Sequence, residues 1–538
     1  MNFKKYLALF YIVFLLPLAL FAQETVEKGL DEKINDAFAP ISKFFNNVIF
    51  FPILKDTPFI IVLLVCAALF FTIYFGFVNI RRFGTAINVV RGKYDEVDRH
   101  SVDPKANVNV LDGDIVDTIG DESRDGEVTH FQALATAVSG TVGNGNIAGV
   151  ALAIALGGPG ATFWMIICGL LGMSTKFVEC TLGVQYRDVG PDGTVYGGPM
   201  YYLTKGLKER GFATFGKIAA VLFAIFCIGG SFGGGNAAQS NQATVVLKTL
   251  LGLESTAAGT VIGVILAFFV GIIIIGGIKR IASVTEKIVP FMALLYIIAC
   301  LYIILTNLPL AGGAIGQIFS EAFTPRASVG AMIGVLLIGF KRACFSNEAG
   351  AGSASIAHSA VKTKYAASEG LVALLEPFID TVVICTMTAL VIIIFNSGGI
   401  FEYGGDGKGM VFINGEGFEG AGITAQAFAE YIPYSDVFLT IAVVLFAVST
   451  MISWSYYGLQ SWKFLFGRGK MADLVYKLLF LLFIIIGAAA NMKSIWDFSD
   501  AMIFAMVFPN MIGLFFLFPV VKRELERYLS AIKKAGLN

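Results

Sequence analysis

The sequence predicts an all-α polytopic membrane protein. Three observations predict it: an apolar composition, apolar runs at membrane-crossing spacing, and basic residues gathered on one side of the resulting loops. Of the 538 residues, 56% are hydrophobic and only 14% charged, a balance rare in soluble folds and usual in multi-span ones. The formal net charge is zero, so no electrostatic case for a nucleic-acid partner arises. Cys66, Cys168, Cys180, Cys227, Cys300, Cys344 and Cys385 all fall in or beside apolar runs and read as small core residues, not disulfides or metal ligands. The three histidines have no metal spacing.

Taken in order, Lys4 and Lys5 precede an apolar run over 6–22 that ends in Ala22, the layout of a signal peptide cleaved after Ala22. Residues 23–57 are then an extracytoplasmic, amphipathic lead, and 58–80 an extra transmembrane helix ahead of the main body. Arg81, Arg82, Arg91 and Lys93 follow it directly and mark the cytoplasmic side. The stretch 95–127 is acidic and poor in aromatics; it reads as a mobile linker within a cytoplasmic segment, 81–129. Ten further spans are expected near 130–156, 160–183, 216–242, 257–278, 287–307, 328–361, 366–395, 437–462, 475–491 and 499–521, with the cytoplasmic tail at 522–538. With ten crossings, Arg187, Lys205, Lys279, Arg280, Lys362, Lys463, Lys470, Lys522 and Arg523 share one side, which supports the count. About eleven helices remain after signal removal. Ten divide into repeats of five, 130–307 and 328–521, and an odd number per repeat forces the two into opposite orientation.

The first span of each repeat is interrupted. Gly140-Thr141-Val142-Gly143-Asn144-Gly145-Asn146 places glycines and small polar residues in mid-span, where the helix is weakened yet backbone groups must still be satisfied. In the second, 328–340 supplies only about 20 Å of helix before Lys341-Arg342, so it reads as half a helix ending in a break over 341–352. Corresponding broken helices point to a transporter's binding site near the midplane. Unpaired N–H groups at one broken end attract an anion, and bare carbonyls at the other attract a small cation. An amino-acid carboxylate and Na⁺ match those fields. Gly143-x-Gly145-x-x-Ala148 loosely fits a dinucleotide fingerprint but sits in no βαβ unit. A small-residue seam for helix packing is the stronger alternative.

Phe446-Ala447-Val448-Ser449-Thr450 offers hydroxyls within one turn, beside the Phe446 carbonyl, the oxygen set that a hard cation takes. Back-bonding within the helix is the plain alternative. Phe345 and Trp454 are candidate apolar walls for a small substrate. Of the ionisable residues within spans, Lys176 and Glu179 are expected to pair at i, i+3, and Glu376 and Asp380 to share a face toward Lys341 or Arg342.

The segments Gly140-Thr141-Val142-Gly143-Asn144-Gly145-Asn146-Ile147-Ala148-Gly149, Ala155-Leu156-Gly157-Gly158-Pro159-Gly160, Thr175-Lys176-Phe177-Val178-Glu179, Gly197-Gly198-Pro199-Met200-Tyr201-Tyr202-Leu203 and Phe345-Ser346-Asn347-Glu348-Ala349-Gly350-Ala351-Gly352-Ser353 closely resemble the alanine or glycine:cation symporter family, the sodium:alanine symporters. The resemblance implies a LeuT-like fold of two inverted five-helix repeats that imports alanine or glycine with Na⁺. It implies substrate contacts from Thr141, Gly143, Asn144, Gly145, Asn146, Gln239, Phe345 and Trp454. It implies a Na⁺ site on the carbonyls of Ser139, Val142 and Phe446 and the hydroxyls of Ser449 and Thr450. The signal peptide, the acidic 95–127 and the Gly-rich 397–420 depart from the family pattern, and all three are expected to lie away from the site.

The function expected is a symporter of the bacterial plasma (inner) membrane, with a cytoplasmic C-terminus, a small amino acid as substrate, Na⁺ as coupling ion, the lipid bilayer as surroundings and no obligate protein partner implied. An H⁺-coupled or ion-conducting protein of the same fold is the alternative. A membrane enzyme would show an intramembrane His, Cys or paired-carboxylate constellation, and only Glu376 and Asp380 come near, without a nucleophile or metal partner.

Overall fold

A computed structural model describes residues 30–54, 57–98, 110–111, 114–115, 126–190, 193–253, 255, 257–323, 332–404 and 407–537. The apolar run 6–22 and most of the acidic 95–127 lie outside these residues. Among the described residues, seven helices are long and apolar enough to cross a membrane, and the bent pair His130–Thr141 with Gly145–Gly157 makes an eighth. Ala258–Ile274 and Phe59–Tyr74 are shorter apolar helices.

In chain order, span 1 is His130–Thr141 plus Gly145–Gly157, span 2 Gly160–Gln185, span 3 Ala213–Leu251, span 4 Ala258–Ile274 and span 5 Gly277–Thr306. Span 6 is Met332–Asn347 plus Ala354–His358, span 7 Ala366–Gly398, span 8 Ser435–Phe466, span 9 Lys470–Ala489 and span 10 Met492–Lys534. The packing repeats when each span is exchanged for the one five later. Spans 1 and 6, 2 and 7, 3 and 8, and 4 and 9 pack on each other; span 1 packs on 5 as 6 packs on 10, and span 3 on 10 as 8 on 5. That is the contact pattern of two repeats related by a pseudo-twofold axis, so the LeuT-like arrangement of five and five is present.

Several boundaries differ from expectation. The extra helix, expected over 58–80, ends at Tyr74 because Gly76 and Phe77 both take left-handed φ, and resumes as the single turn Val78–Arg81. At 16 residues it is about 24 Å long, less than a full ~30 Å crossing. Span 5 begins at Gly277 and so includes Lys279 and Arg280, expected in a loop. Span 10 runs 43 residues, well past both ends of 499–521. Two stretches read as loops carry helices, Leu308–Glu321 and Ala421–Tyr431. Leu30–Ile49 packs on span 10, where Ser42 Oγ donates to the Ser494 carbonyl at 2.6 Å.

Candidate functional site

Span 1 starts at a capping box: Thr129 Oγ1 accepts from the Gln132 N–H at 3.2 Å, and Gln132 Oε1 accepts from the Thr129 N–H at 3.1 Å. The helix then runs to Thr141 and stops as Val142 leaves the helical region, at φ −75° and ψ 86°. It resumes as a π-turn over Gly145–Gly149, with the two pieces bent by 50°. Span 6 breaks over 348–353, where Glu348, Gly350 and Gly352 all adopt positive φ. Glu348 is a non-glycine residue in that strained region, and its carboxylate is held from two sides: Ser353 Oγ donates to one oxygen and Trp454 Nε1 to the other, the latter at 3.0 Å.

The break of span 6 therefore falls later than expected. Lys341 and Arg342 do not end the helix. They remain within it because both meet Asp500 of span 10, Lys341 at 2.8 Å and Arg342 in direct contact, and a paired charge is tolerated at membrane depth. Nor do they face Glu376 and Asp380. Lys176, fully buried, pairs with Glu376 at 3.1 Å instead of with Glu179. Glu179 accepts from Asn510 Nδ2 at 2.7 Å, and Glu376 lies 3.7 Å from His358 Nε2. A buried ammonium needs a counter-charge from across the helix interface, which i, i+3 spacing on its own helix did not supply here.

Oxygens of spans 1 and 8 gather at one place, one contact crossing between the spans and one lying within span 8. Thr450 Oγ1 donates to the Ser139 carbonyl at 3.0 Å, and Ser449 Oγ to the Phe446 carbonyl at 3.0 Å. Ser139 Oγ donates to the Ser449 carbonyl at 2.8 Å, locking the spans together. Val142, fully buried, follows Ser139 at the helix end. Gly143 lies tight against this cluster: a Cβ there would lie 2.4 Å from Thr450 Oγ1 and 3.0 Å from Gln239 Oε1. Ser139, Phe446, Ser449 and Thr450 are thus joined by hydrogen bonds, with Val142 three residues on from Ser139 in the chain, and hydroxyls that can turn their lone pairs outward suit a hard cation.

The backbone donors of the break are held by side-chain amides. The Gly143 N–H donates to Asn146 Oδ1 and the Asn144 N–H to Gln239 Oε1, both at 2.9 Å. Asn146 Nδ2 in turn donates to Asp380 Oδ1 at 2.7 Å, and Ser346 Oγ reaches the same oxygen at 3.1 Å. Thr141 Oγ1 bonds back to the Ala137 carbonyl at 3.3 Å. Gly145 faces span 6, where a Cβ would meet Ser346 and Phe345 at ordinary contact, 3.6 and 3.7 Å. Phe345 lies against Gly234, and Trp454 against Gly235, so both rings abut the π-turn Gly233–Ala237 of span 3. Three buried polar atoms around the break, Asn144 Oδ1, Ser453 Oγ and Tyr457 OH, have no hydrogen-bond partner among the described residues.

Sequence reasoning missed three features. Asp380 is legible in the sequence as an ionisable residue within a span but not as a neighbour of the break, and an acid at membrane depth is the available signal. Three π-turns, Gly145–Gly149, Gly233–Ala237 and Phe378–Cys385, meet here through Asn144, Gln239, Asn146 and Asp380, and such turns gather at functional sites. The Gly-rich segment is also closer than expected. The Gly404 N–H donates to the Ala155 carbonyl at 2.6 Å, and in the helix that follows, Thr424 Oγ1 donates to the Ile147 carbonyl at 3.2 Å. Carbonyls freed by the π-turn need donors from outside the helix.

The sequence matches the model of the sodium:alanine symporter family over residues 39–538. It is 38% identical to the sodium/alanine symporter AgcS of Methanococcus maripaludis, covering 89% of this chain and 96% of that one. It is 32% identical to the probable sodium/glutamine symporter GlnT of Bacillus subtilis, covering 89% of each chain, and 31% identical to the amino-acid carrier protein AlsT of the same organism, covering 93% and 95%. Among solved structures, MhsT in complex with L-phenylalanine aligns at a TM-score of 0.48 and 14% identity, over 72% of this chain and 88% of that one. The chain belongs to the sodium:alanine symporter family, membrane-embedded amino acid:cation symporters and not enzymes.

Proposed function

We propose that this protein imports a small neutral amino acid, alanine or glycine, together with Na⁺ across the plasma membrane by alternating access. The observation that carries this reading is the meeting of two broken helices beside an oxygen cluster shared by spans 1 and 8. Na⁺ takes the carbonyls of Ser139, Val142 and Phe446 and the hydroxyls of Ser449 and Thr450. Each hydroxyl now donates to a carbonyl of the same set at 3.0 Å, so a small rotation turns both toward a cation.

The substrate carboxylate takes the N–H groups of the span 1 break. Asn146 and Gln239 now cover two of them with amide oxygens, placing oxygen acceptors where carboxylate oxygens would go, and they swing aside as the substrate enters. Thr141, Gly145 and the freed amides of Asn144, Asn146 and Gln239 complete the polar contacts. Phe345 and Trp454, set against Gly234 and Gly235, are the apolar wall on which the small side chain of the substrate packs. Because Ser139, Val142 and Gly143 adjoin both ligands, each ligand's binding orders the other's contacts, and such coupling is what lets a Na⁺ gradient drive uptake. The face bearing Lys279, Lys463, Lys470 and Lys522 is cytoplasmic, with the C-terminus on that side.

Radiolabelled uptake into proteoliposomes under inward Na⁺, Li⁺ or K⁺ gradients tests this. Alanine or glycine accumulation with Na⁺ alone, saturable and outcompeting glutamine, is expected; equal accumulation with K⁺ would overturn it. An H⁺-coupled cycle is the second reading, favoured by Asp380 beside Asn146 and Ser346. Accumulation driven by a pH gradient in Na⁺-free buffer would select it.

A further inference from the structure

A cavity of about 660 Å³ lies between the ends of spans 4, 5, 8 and 9, away from the broken helices. Its two ends differ in chemistry. One carries Lys279, Lys463, Arg468, Lys470 and Lys477, gathered toward the basic face. From there, an apolar trough runs along spans 4 and 9, walled by Phe268, Ile272, Leu478 and Leu481, and Phe268 and Ile272 are 44% and 40% exposed on the outer surface of the bundle.

Not all the cations are committed to the fold. Lys463 and Lys477 both pair with Asp473, at 3.1 and 2.6 Å. Arg468 reaches Asp188 at 3.3 Å and lies over the Tyr196 ring at 3.6 Å. The other acid lining the cavity, Glu127, accepts from the Val195 N–H at 2.9 Å. Lys279 and Lys470, both exposed, make no ion pair or side-chain hydrogen bond among the described residues, and both line the cavity. An exposed apolar trough capped by two uncommitted ammonium groups matches an amphiphile: alkyl chains along the helices and an anionic head on the lysines.

We propose that this cavity binds one anionic phospholipid of the inner leaflet, its phosphate between Lys279 and Lys470 and its acyl chains against Phe268, Ile272, Leu478 and Leu481. The proposal rests on the membrane orientation given above but not on the transported substrate. Basic pockets between helices at the cytoplasmic interface take such headgroups, and each lysine near an anionic surface contributes attraction that falls off within a Debye length.

The test uses the full chain, purified in mild detergent and titrated with phosphatidylglycerol, phosphatidylcholine or inorganic phosphate, with bound lipid counted by native mass spectrometry. The wild type retains one phosphatidylglycerol, and the double variant K279Q/K470Q binds it about tenfold or more weakly. The same variant unfolds at the wild-type temperature when lipid-free, since neither lysine makes an ion pair or side-chain hydrogen bond among the described residues. Unchanged phosphatidylglycerol binding in the variant, or phosphatidylcholine binding as tight as phosphatidylglycerol in the wild type, would overturn the proposal. So would displacement of the lipid by millimolar phosphate, which would mark a soluble-anion site. Because no transport is measured, failure here leaves the symport reading standing.

Discussion

Replacing Gly143 by alanine isolates the contact between the broken helix and the ion oxygens. The added Cβ would sit 2.4 Å from Thr450 Oγ1 and 3.0 Å from Gln239 Oε1. Carbon and oxygen do not approach within 3.0 Å without something shifting, so the Thr450 hydroxyl must leave the Ser139 carbonyl it meets at 3.0 Å. Overpacking a tight interior costs about 1–3 kcal/mol. If that strain falls on the ion-competent arrangement, the Na⁺ concentration for half-maximal uptake rises by roughly 5- to 150-fold. Gly145→Ala is the comparison: the same methyl group two residues on meets Ser346 and Phe345 only at 3.6 and 3.7 Å, ordinary van der Waals contact, so its Na⁺ dependence shifts less than that of Gly143→Ala. Alanine uptake in proteoliposomes at a series of Na⁺ concentrations reads both variants. A wild-type Na⁺ response in G143A, or equal shifts in the two, would refute the reasoning.

Further predictions concern the contacts around the break. Gln239→Ala strands the Asn144 N–H, which Gln239 Oε1 accepts at 2.9 Å; leaving a buried donor unpaired costs about 1–3 kcal/mol, and the alanine KM is expected to change at least severalfold while Gln239→Glu, which keeps an acceptor, changes it less. Trp454→Phe removes the donor that Glu348 Oε1 meets at 3.0 Å and is expected to reduce transport without altering the amount of protein in the membrane, as a quantitative blot checks. Glu376→Gln leaves Lys176 buried without its counter-charge, a loss of about 3–5 kcal/mol. Chemical denaturation should show that loss, and the paired change Lys176→Met with Glu376→Leu should recover most of it.

What the sequence made legible was local or periodic. The ten spans follow from apolar runs of membrane length, and the first break from glycines at 140, 143, 145 and 149 that lie within a few residues of one another. Ser449 and Thr450 stood out because two hydroxyls within one turn need no distant partner to be noticed. What escaped was non-local. Lys341 and Arg342 looked like the end of a half-helix because their compensating charge, Asp500, lies more than 150 residues away in the chain. Lys176 was matched to the nearest acid in sequence, whereas Glu376 is 200 residues on. The π-turns carry no periodic signature, since one inserted residue in a long apolar run changes the composition hardly at all. Ala421–Tyr431 was hidden by the glycines that precede it, and its Thr424 reaches the first break only through folding.

The central claim is that the amino acid and Na⁺ meet at the broken helices and strengthen each other's binding. Equilibrium binding of labelled alanine to the purified protein, repeated across Na⁺ concentrations with ionic strength held constant by K⁺, measures that coupling. The account predicts an alanine affinity that rises about tenfold or more with Na⁺, a Na⁺ affinity that rises by the same factor with alanine, and a much weaker effect in Thr450→Ala. An alanine affinity that is the same at every Na⁺ concentration would contradict it.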